Sequence, residues 1–142
     1  MLAKKVKYTD FDDNEREETF YFNLSKTELM RLQVSADGGL VARITKMLER
    51  QDSKEILDTF EWLILTSYGE KSDDGRKFEK VRDGHKLAED FKQTNAYEVL
   101  FSEVTSDTQH AIDFFNGVID PSVMKEINAA QKDANVVPIP TK

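Results

Sequence analysis

The chain has 142 residues, of which 39% are hydrophobic and 33% charged, a balance that indicates one soluble folded domain. It contains no cysteine, which excludes disulfides, cysteine metal ligands and a thiol nucleophile within this sequence. The net charge of −7 without a basic region argues against nucleic-acid binding, and no apolar run approaches the ~18 residues of a membrane-spanning helix.

The N-terminal 24 residues predict a β-hairpin. Strand-forming residues occupy 5–9 and 19–24, and the polar stretch between them, residues 10–15, has the composition of a turn. The second strand leads directly into a helix start, because Ser25 and Glu28 form a capping box. The chain is therefore expected to pass from the hairpin straight into helical structure.

Alternation along the second strand predicts which rings are buried. Phe20 and Phe22 are expected to face the core, while Tyr21 faces the other side. If Tyr8 shares the face of Tyr21, the two rings form an exposed aromatic patch. Because a two-stranded sheet is marginal alone, the hairpin must lie on the helices or extend through a strand of a neighbouring chain.

Helical spacing of apolar residues predicts about six helices after the hairpin. The third of them is apolar nearly all round in its second half and is expected to be the most buried, with Gly69 as its end. The apolar stripes of the six lie at 26–34, 40–48, 56–68, 84–92, 95–104 and 107–119.

Further caps and one connector complete this pattern. Asp52 is expected to cap the third helix, Thr94 the fifth, and Ser106 with Gln109 the sixth. The charged connector 70–82 is expected to anchor at two apolar residues or to form a short hairpin.

These elements predict an α+β fold that is predominantly α-helical. A single domain is expected over 1–121, with the hairpin at 4–24 and the helical part at 25–121. The tail 122–142 is expected to be weakly helical to disordered, because the prolines near its end cannot continue a helix.

No catalytic, cofactor-binding or metal site is predicted, and the chain is not expected to be an enzyme. His85 and His110 lie on segments that need not meet. The stretch beginning at Asp10 resembles the start of a calcium loop. However, Glu15 stands where that loop needs glycine, and Tyr21 stands where it needs a bidentate Glu.

Residues 93–120 contain no Lys or Arg and carry five acidic residues. This acidic stretch is either a solvated helical face or an electrostatic complement to a basic partner segment. Aromatic residues in this stretch, and others on the hairpin, are the candidate contacts with protein partners: Tyr8, Tyr21, Tyr97, Phe101 and Phe114.

The chain carries a set of short segments in a fixed order: Tyr8–Phe11, Asn14–Glu15, Phe20–Glu28, Gly38–Leu40, Leu63–Leu65, Ser67–Ser72, Asp74–Phe78, Phe91, Gln93–Thr94, Ala96–Tyr97 and Phe115–Ile119. In this order they resemble the tail assembly chaperones of long-tailed phages or prophages of Gram-positive bacteria. The resemblance covers roughly residues 4–121. Asp12-Asp13 departs from it, since relatives have an Asn-Gly-like turn there.

The resemblance implies a non-catalytic role without cofactors. Such chaperones are made in the host cytoplasm, bind the tape measure protein and keep it soluble until tube subunits polymerise around it. They are absent from the mature virion. Many also have a longer form, produced by a programmed ribosomal frameshift, that recruits the tail tube protein. Self-association is expected, because coating a long chain needs many copies.

Two other functions stay open. A structural tail or neck component would remain in the virion, unlike a chaperone. An acidic host-directed inhibitor would need acidic residues along an exposed face, and the basic residues interspersed through 1–92 weaken that interpretation.

Overall fold

The computed structural model describes residues 1–35 and 39–119, together with Ser122 and Lys125. Within this part of the chain, a hairpin precedes six helices, so the predicted helix-dominated α+β fold is confirmed. Apart from those two residues, the predicted C-terminal tail lies outside the described residues. In chain order the elements are β1 (Leu2–Thr9), β2 (Glu15–Phe22), α1 (Lys26–Ser35), α2 (Leu40–Arg50), α3 (Ser53–Ser67), β3 (Tyr68–Lys71), β4 (Phe78–Glu79), β5 (Val81–Arg82), β6 (His85–Lys86), α4 (Leu87–Lys92), α5 (Asn95–Val104) and α6 (Thr108–Val118).

The hairpin is longer than predicted, and its turn is built around one carboxylate. β1 and β2 are antiparallel over all eight residues, from Leu2 opposite Phe22 to Thr9 opposite Glu15. The Asp10 carboxylate accepts hydrogen bonds from the backbone N–H groups of residues 12 and 14, each at 2.9 Å, and from Nε of Arg16 at 2.5 Å. The Arg16 bond and the backbone bonds hold the pKa of Asp10 below its ordinary value.

The sheet has four strands within the described residues, in the order β1-β2-β3-β4. β3 follows α3 directly and pairs with the end of β2, where Tyr21 lies opposite Gly69 and Phe22 opposite Tyr68. The chain therefore extends its own hairpin, which the sequence did not indicate because this pairing joins residues nearly fifty positions apart.

Gly69 directly follows the C-cap of α3, so the predicted end of the helix holds, but Gly69 is a strand residue of β3 there rather than a left-handed helix cap. A Cβ at this position would lie 2.5 Å from a ring carbon of Phe78 and 2.7 Å from the carbonyl oxygen of Glu79. The close approach of the neighbouring strand requires glycine here. α3 ends at Ser67, because Tyr68 already has an extended backbone and joins the sheet.

Three of the predicted helix caps are confirmed. The N–H of Glu28 donates to Ser25 Oγ at 3.1 Å, and the N–H of Ser25 donates to the Glu28 carboxylate at 2.8 Å. Asp52 and Thr94 each accept a hydrogen bond from the N–H three residues further on, both at 3.2 Å.

The predicted cap of the sixth helix is wrong by one residue. Asp107 caps α6 by accepting the N–H of His110 at 2.8 Å. The hydroxyl of Ser106 instead donates to the carbonyl of Glu103 at the end of α5. Asp and Ser are comparable caps, so adjacent candidates are not separated by their type alone.

The charged connector forms two hairpins, β3–β4 and β5–β6. The second reverses direction at Asp83 and Gly84, both with positive φ, and it takes His85 and Lys86 into a strand. α4 therefore begins at Leu87, three residues later than predicted.

The core lies between the inner face of the sheet and the helices. At its centre the Phe22 side chain is fully buried, and its ring lies 5.4 to 6.0 Å from those of Tyr68, Phe91 and Phe114. Phe20 packs against Phe91 at 5.1 Å. The predicted inward face of the second strand is thus confirmed.

Candidate protein-docking surface around Trp62

Trp62 is the only tryptophan in the chain, and it lies on the outer face of α3. Phe60, Leu63 and Ile64 from the same helix are fully buried, whereas the Trp62 side chain keeps 41% of its surface exposed. The second half of this helix is apolar nearly all round in sequence, but it is not buried all round in the structure. One face enters the core, and the other presents a large aromatic ring to solvent.

A groove of about 680 Å³ runs along one side of Trp62, between α3, the β5–β6 hairpin and α4. Its apolar lining comes from Trp62, Leu65, Val81 and Ala88. Val81 is itself more than half exposed, although it is a large apolar residue. Apolar side chains from α3, β5 and α4 thus meet in one depression that is open to solvent.

A second groove, of about 350 Å³, lies on the other side of the same ring. Leu32 of α1 and Leu40 and Ile44 of α2 line it together with Trp62. Trp62 thus forms a ridge between two apolar depressions. We call the ridge and its two grooves the Trp62 surface.

Charged residues of both signs surround this surface, and some of them form ion pairs. Nζ of Lys92 lies 2.7 Å from the Glu61 carboxylate, and Nζ of Lys80 lies 2.8 Å from that of Glu28. Burial acts to raise the pKa of Glu28, but the bonds from Lys80 and from the Ser25 N–H outweigh it and leave the pKa lowered. The Lys80 pair therefore ties the connector to the start of α1.

An apolar ridge and grooves inside a charged rim are suited to binding an amphipathic helix. In that mode the apolar stripe of the partner enters the groove, and its polar face stays at the rim. Tryptophan is also enriched among residues that dominate binding energy at protein interfaces.

Two titratable groups near this surface, Tyr68 and His85, have shifted pKa values. Burial raises the pKa of the Tyr68 hydroxyl at the base of the larger groove, which keeps it neutral at physiological pH. His85 lies 2.8 Å from Asp90, and this contact raises the pKa of the imidazole. Among the described residues, no three His, Cys, Asp or Glu side chains are grouped to hold a metal ion.

The three aromatic residues proposed from the acidic stretch are placed in or against the core. Tyr97 and Phe114 are 5% and 3% exposed, and Phe101 is partly buried with its ring 5.7 Å from that of Tyr97. Burial raises the pKa of Tyr97 to about 12. All three rings therefore pack within this chain. A role for them in binding a partner stays a prediction.

The two tyrosines proposed on the hairpin lie on opposite faces of the sheet. Tyr8 faces inward, with its ring 6.4 Å from Phe20 and its hydroxyl bonded to Glu18. Tyr21 faces outward, and the ammonium of Lys71 lies 4.7 Å from its ring centroid. The condition for a shared aromatic patch is not met, because the strand register places Tyr8 opposite Arg16 and not on the Tyr21 face.

The sequence matches the family of phage tail assembly chaperones over residues 1–141. The chain belongs to this family. The match continues through the C-terminal tail, beyond the resemblance that ended near residue 121. No curated protein and no solved structure matches the chain.

Membership establishes a chaperone role in phage tail assembly, and with it an interaction with tail proteins. It favours a non-catalytic function. Among the described residues, no helix combines the length and apolar character needed for a membrane crossing.

The sequence analysis of this tail assembly chaperone missed Trp62, although a pattern pointed to it. The residues three and four positions from Trp62 are its neighbours on the helix surface: Asp58, Thr59, Leu65 and Thr66. Three of these four are polar, which indicates that Trp62 lies on an outer face of the helix. The apolar run Leu63–Leu65 hid this signal, because it made the whole segment look buried.

Proposed function

We propose that this chaperone binds the tape measure protein of a long-tailed phage or prophage of Gram-positive bacteria and keeps it soluble during tail assembly. The Trp62 surface is the observation that carries the proposal. It is an exposed aromatic ridge between two apolar grooves, on a chain whose family acts on tail proteins.

The chemistry of the two partners is complementary. A tape measure protein is a long helical chain that exposes apolar stripes before the tube forms around it. The grooves beside Trp62 cover such a stripe, while the charged rim and the net charge of −7 keep the complex hydrated. Binding along the chain therefore replaces aggregation-prone surface with acidic, polar surface.

The chaperone acts in the host cytoplasm and leaves before the particle is complete. Mass spectrometry of purified virions distinguishes this role from that of a structural tail or neck component. The chaperone is expected to be absent, whereas a structural component would be found at a fixed ratio to the tube protein.

A longer form, made by a programmed ribosomal frameshift near the end of the gene, is proposed to recruit the tail tube protein. This part rests on the family resemblance alone. Mass spectrometry of the chaperone from infected or induced cells checks it, since the longer form carries peptides from the overlapping reading frame.

The experiment that tests the function is co-expression with the tape measure protein encoded nearby. Each protein is expressed alone and together, and the soluble fractions are analysed by light-scattering chromatography. We expect a soluble high-mass complex from the pair and insoluble tape measure protein without the chaperone. If the tape measure protein stays insoluble and the chaperone elutes unchanged, the proposal is wrong.

A further inference from the structure

We propose that copies of this chaperone associate edge to edge, through antiparallel pairing of β1 in one copy with the open part of β2 in the next. Self-association is part of the expected behaviour of the chain, and the inference here is the surface that carries it. It concerns contacts between copies, and it does not depend on which tail protein occupies the Trp62 surface.

The turn of the hairpin determines which backbone groups of β1 point outward. The N–H of Asp10 donates to the carbonyl of Asn14 at 2.9 Å, and hydrogen-bonded pairs alternate with non-bonded pairs from there. By this alternation the N–H and C=O groups of Ala3, Lys5 and Lys7 face away from β2. The amide of Asn95 donates to the carbonyl of Thr9 from that same outer side, at 2.8 Å.

The same alternation applies to the other side of β2. Its outward-facing backbone groups belong to Glu15, Glu17, Thr19 and Tyr21. β3 pairs with β2 only from Tyr21 onward, where Tyr21 lies opposite Gly69. The pairing with β3 therefore does not reach Glu15 and Glu17. Among the described residues β1 is the end strand of the sheet, so Lys5 and Lys7 lie on its outer edge.

The two open edges carry opposite charge. Lys5 and Lys7 are exposed on the edge of β1, and Glu15 and Glu17 are exposed on the edge of β2. Antiparallel pairing that places Lys5 opposite Glu17 of the next copy also places Lys7 opposite its Glu15. In this register the outward backbone groups of all four residues meet as hydrogen-bonded pairs.

The charges also favour pairing of β1 with β2 of the next copy over pairing of β1 with β1 of the next copy. An exposed edge strand is a template for pairing with another chain, and lysines on it discourage pairing with a like edge. Two β1 edges would bring lysines together, and like charges directly opposite are destabilising. Nζ of Lys7 lies 4.0 Å from Glu17 of its own chain, the outer limit of an ion pair, so this contact holds neither charge tightly.

Because the two edges are different surfaces, the contact is heterologous. Such contacts produce rings or open helical arrays rather than closed pairs. A repeating array of this kind suits a protein that must cover a long partner with many copies. Each contact involves few residues, so binding along one partner strengthens it by raising the effective concentration of neighbouring copies.

Cysteine trapping tests the interface in the full-length chaperone without any tail protein, because the chain has no cysteine of its own. Single variants Lys5→Cys and Glu17→Cys are mixed and oxidised. Hydrogen-bonded antiparallel partners have Cα atoms ~5.5 Å apart, within the range of a disulfide. The control partner for Lys5→Cys is Asp12→Cys, at an exposed position of the hairpin tip.

We expect the Lys5–Glu17 mixed disulfide to form at least about tenfold faster than the control disulfide, because the interface raises the effective thiol concentration. Adding Lys7→Pro to the Lys5→Cys chain removes one outward N–H and leaves the β1–β2 ladder intact. Lys7→Pro should lower the rate of the Lys5–Glu17 disulfide to that of the control disulfide. Lys7→Ala keeps the N–H and should keep most of the faster rate. Circular dichroism confirms that both variants are folded.

Equal rates for Glu17→Cys and Asp12→Cys would overturn the proposal, as would trapping that survives Lys7→Pro unchanged. Either result leaves binding of the tape measure protein at the Trp62 surface untouched, since that binding is measured separately.

Discussion

Two aromatic regions of this chaperone differ in what surrounds their rings. In the core, Phe22 is in ring contact with Tyr68, Phe91 and Phe114, and its side chain is fully buried. Trp62 lies on the outer face of α3 with two grooves beside it and nearly half of its surface exposed. One ring stabilises the fold, and the other is left available to a partner. The comparison shows that two aromatic residues of one small domain differ in their surroundings, since one is enclosed by other rings and the other is partly in solvent.

The largest expected effect is a difference in unfolding free energy between variants of these two residues. Phe22→Ala should lower the free energy of unfolding by about 3–5 kcal/mol, because it leaves a cavity among packed rings. Trp62→Ala should lower it less, by about 1–2 kcal/mol, since 41% of that residue's surface is already in solvent. Urea unfolding followed by circular dichroism measures both. Similar losses for the two variants would remove the distinction between the regions.

Gly69 lies in β3, next to the Tyr68 ring of the core. Gly69→Ala should destabilise the protein by about 1–3 kcal/mol, because the added methyl group meets Phe78 and the backbone of Glu79 at less than 3 Å. Thermal unfolding checks this. Gly75→Ala is a control for steric crowding, since no atom lies within 4 Å of a Cβ there, although its positive φ adds some backbone strain. An unchanged midpoint for Gly69→Ala would contradict the strand packing.

The pair between Glu28 and Lys80 holds part of the rim of the Trp62 surface. Glu28→Gln should cost about 0.5 kcal/mol at neutral pH, a value that allows for solvent screening of this partly exposed pair. The folded-state pKa of Glu28 is lowered, so its contribution is present above the unfolded pKa, ~4.3, and is lost as the pH falls through the folded pKa.

Urea unfolding of the wild type and of Glu28→Gln, at neutral pH and again in acid, tests this dependence. The difference between the two proteins should shrink in acid. A difference that is constant with pH would show that the Glu28 charge does not act through this pair.

The smallest expected effect concerns His85 beside α4. The Asp90 carboxylate raises its folded-state pKa, so the added stability is fully present below the unfolded value of ~6.5 and is lost as the pH rises through the folded pKa. An NMR titration should give a higher pKa for the His85 ring in the wild type than for the same ring in the Asp90→Asn variant. Identical titration curves would contradict the contact.

Local features of the fold were predictable from the sequence. The Ser25–Glu28 capping box, the inward face of Phe22 and the capping of α5 by Thr94 each depend on residues within a few positions of one another. The pairing of β3 with β2 was not predictable in this way. It joins distant segments, and it converts an apparent helix terminator, Gly69, into a strand residue.

The sequence predicted the type of the candidate site, a set of aromatic contacts, but not the residue at its centre. The sequence indicated aromatic contacts with proteins, but it favoured Tyr97, Phe101 and Phe114, which pack inside the domain or against it. Apolar stripes show that a helix has a buried face. They do not show whether a ring at the margin of that face is covered, and Trp62 lies at such a margin.

The most direct test of the central claim uses the fluorescence of Trp62, the only tryptophan in the chain. Tryptophan-free fragments of the tape measure protein are titrated into the chaperone, with binding scored independently by co-elution. Leu57→Ala is the control for Trp62→Ala, because Leu57 is on the same helix, is 42% exposed and lines neither groove.

We predict that a binding fragment shifts the Trp62 emission to shorter wavelength and shields it from a soluble quencher. Binding should weaken by about 2 kcal/mol or more in Trp62→Ala, and Leu57→Ala should bind as the wild type does. A fragment that co-elutes with the chaperone but leaves the Trp62 emission unchanged would contradict the account.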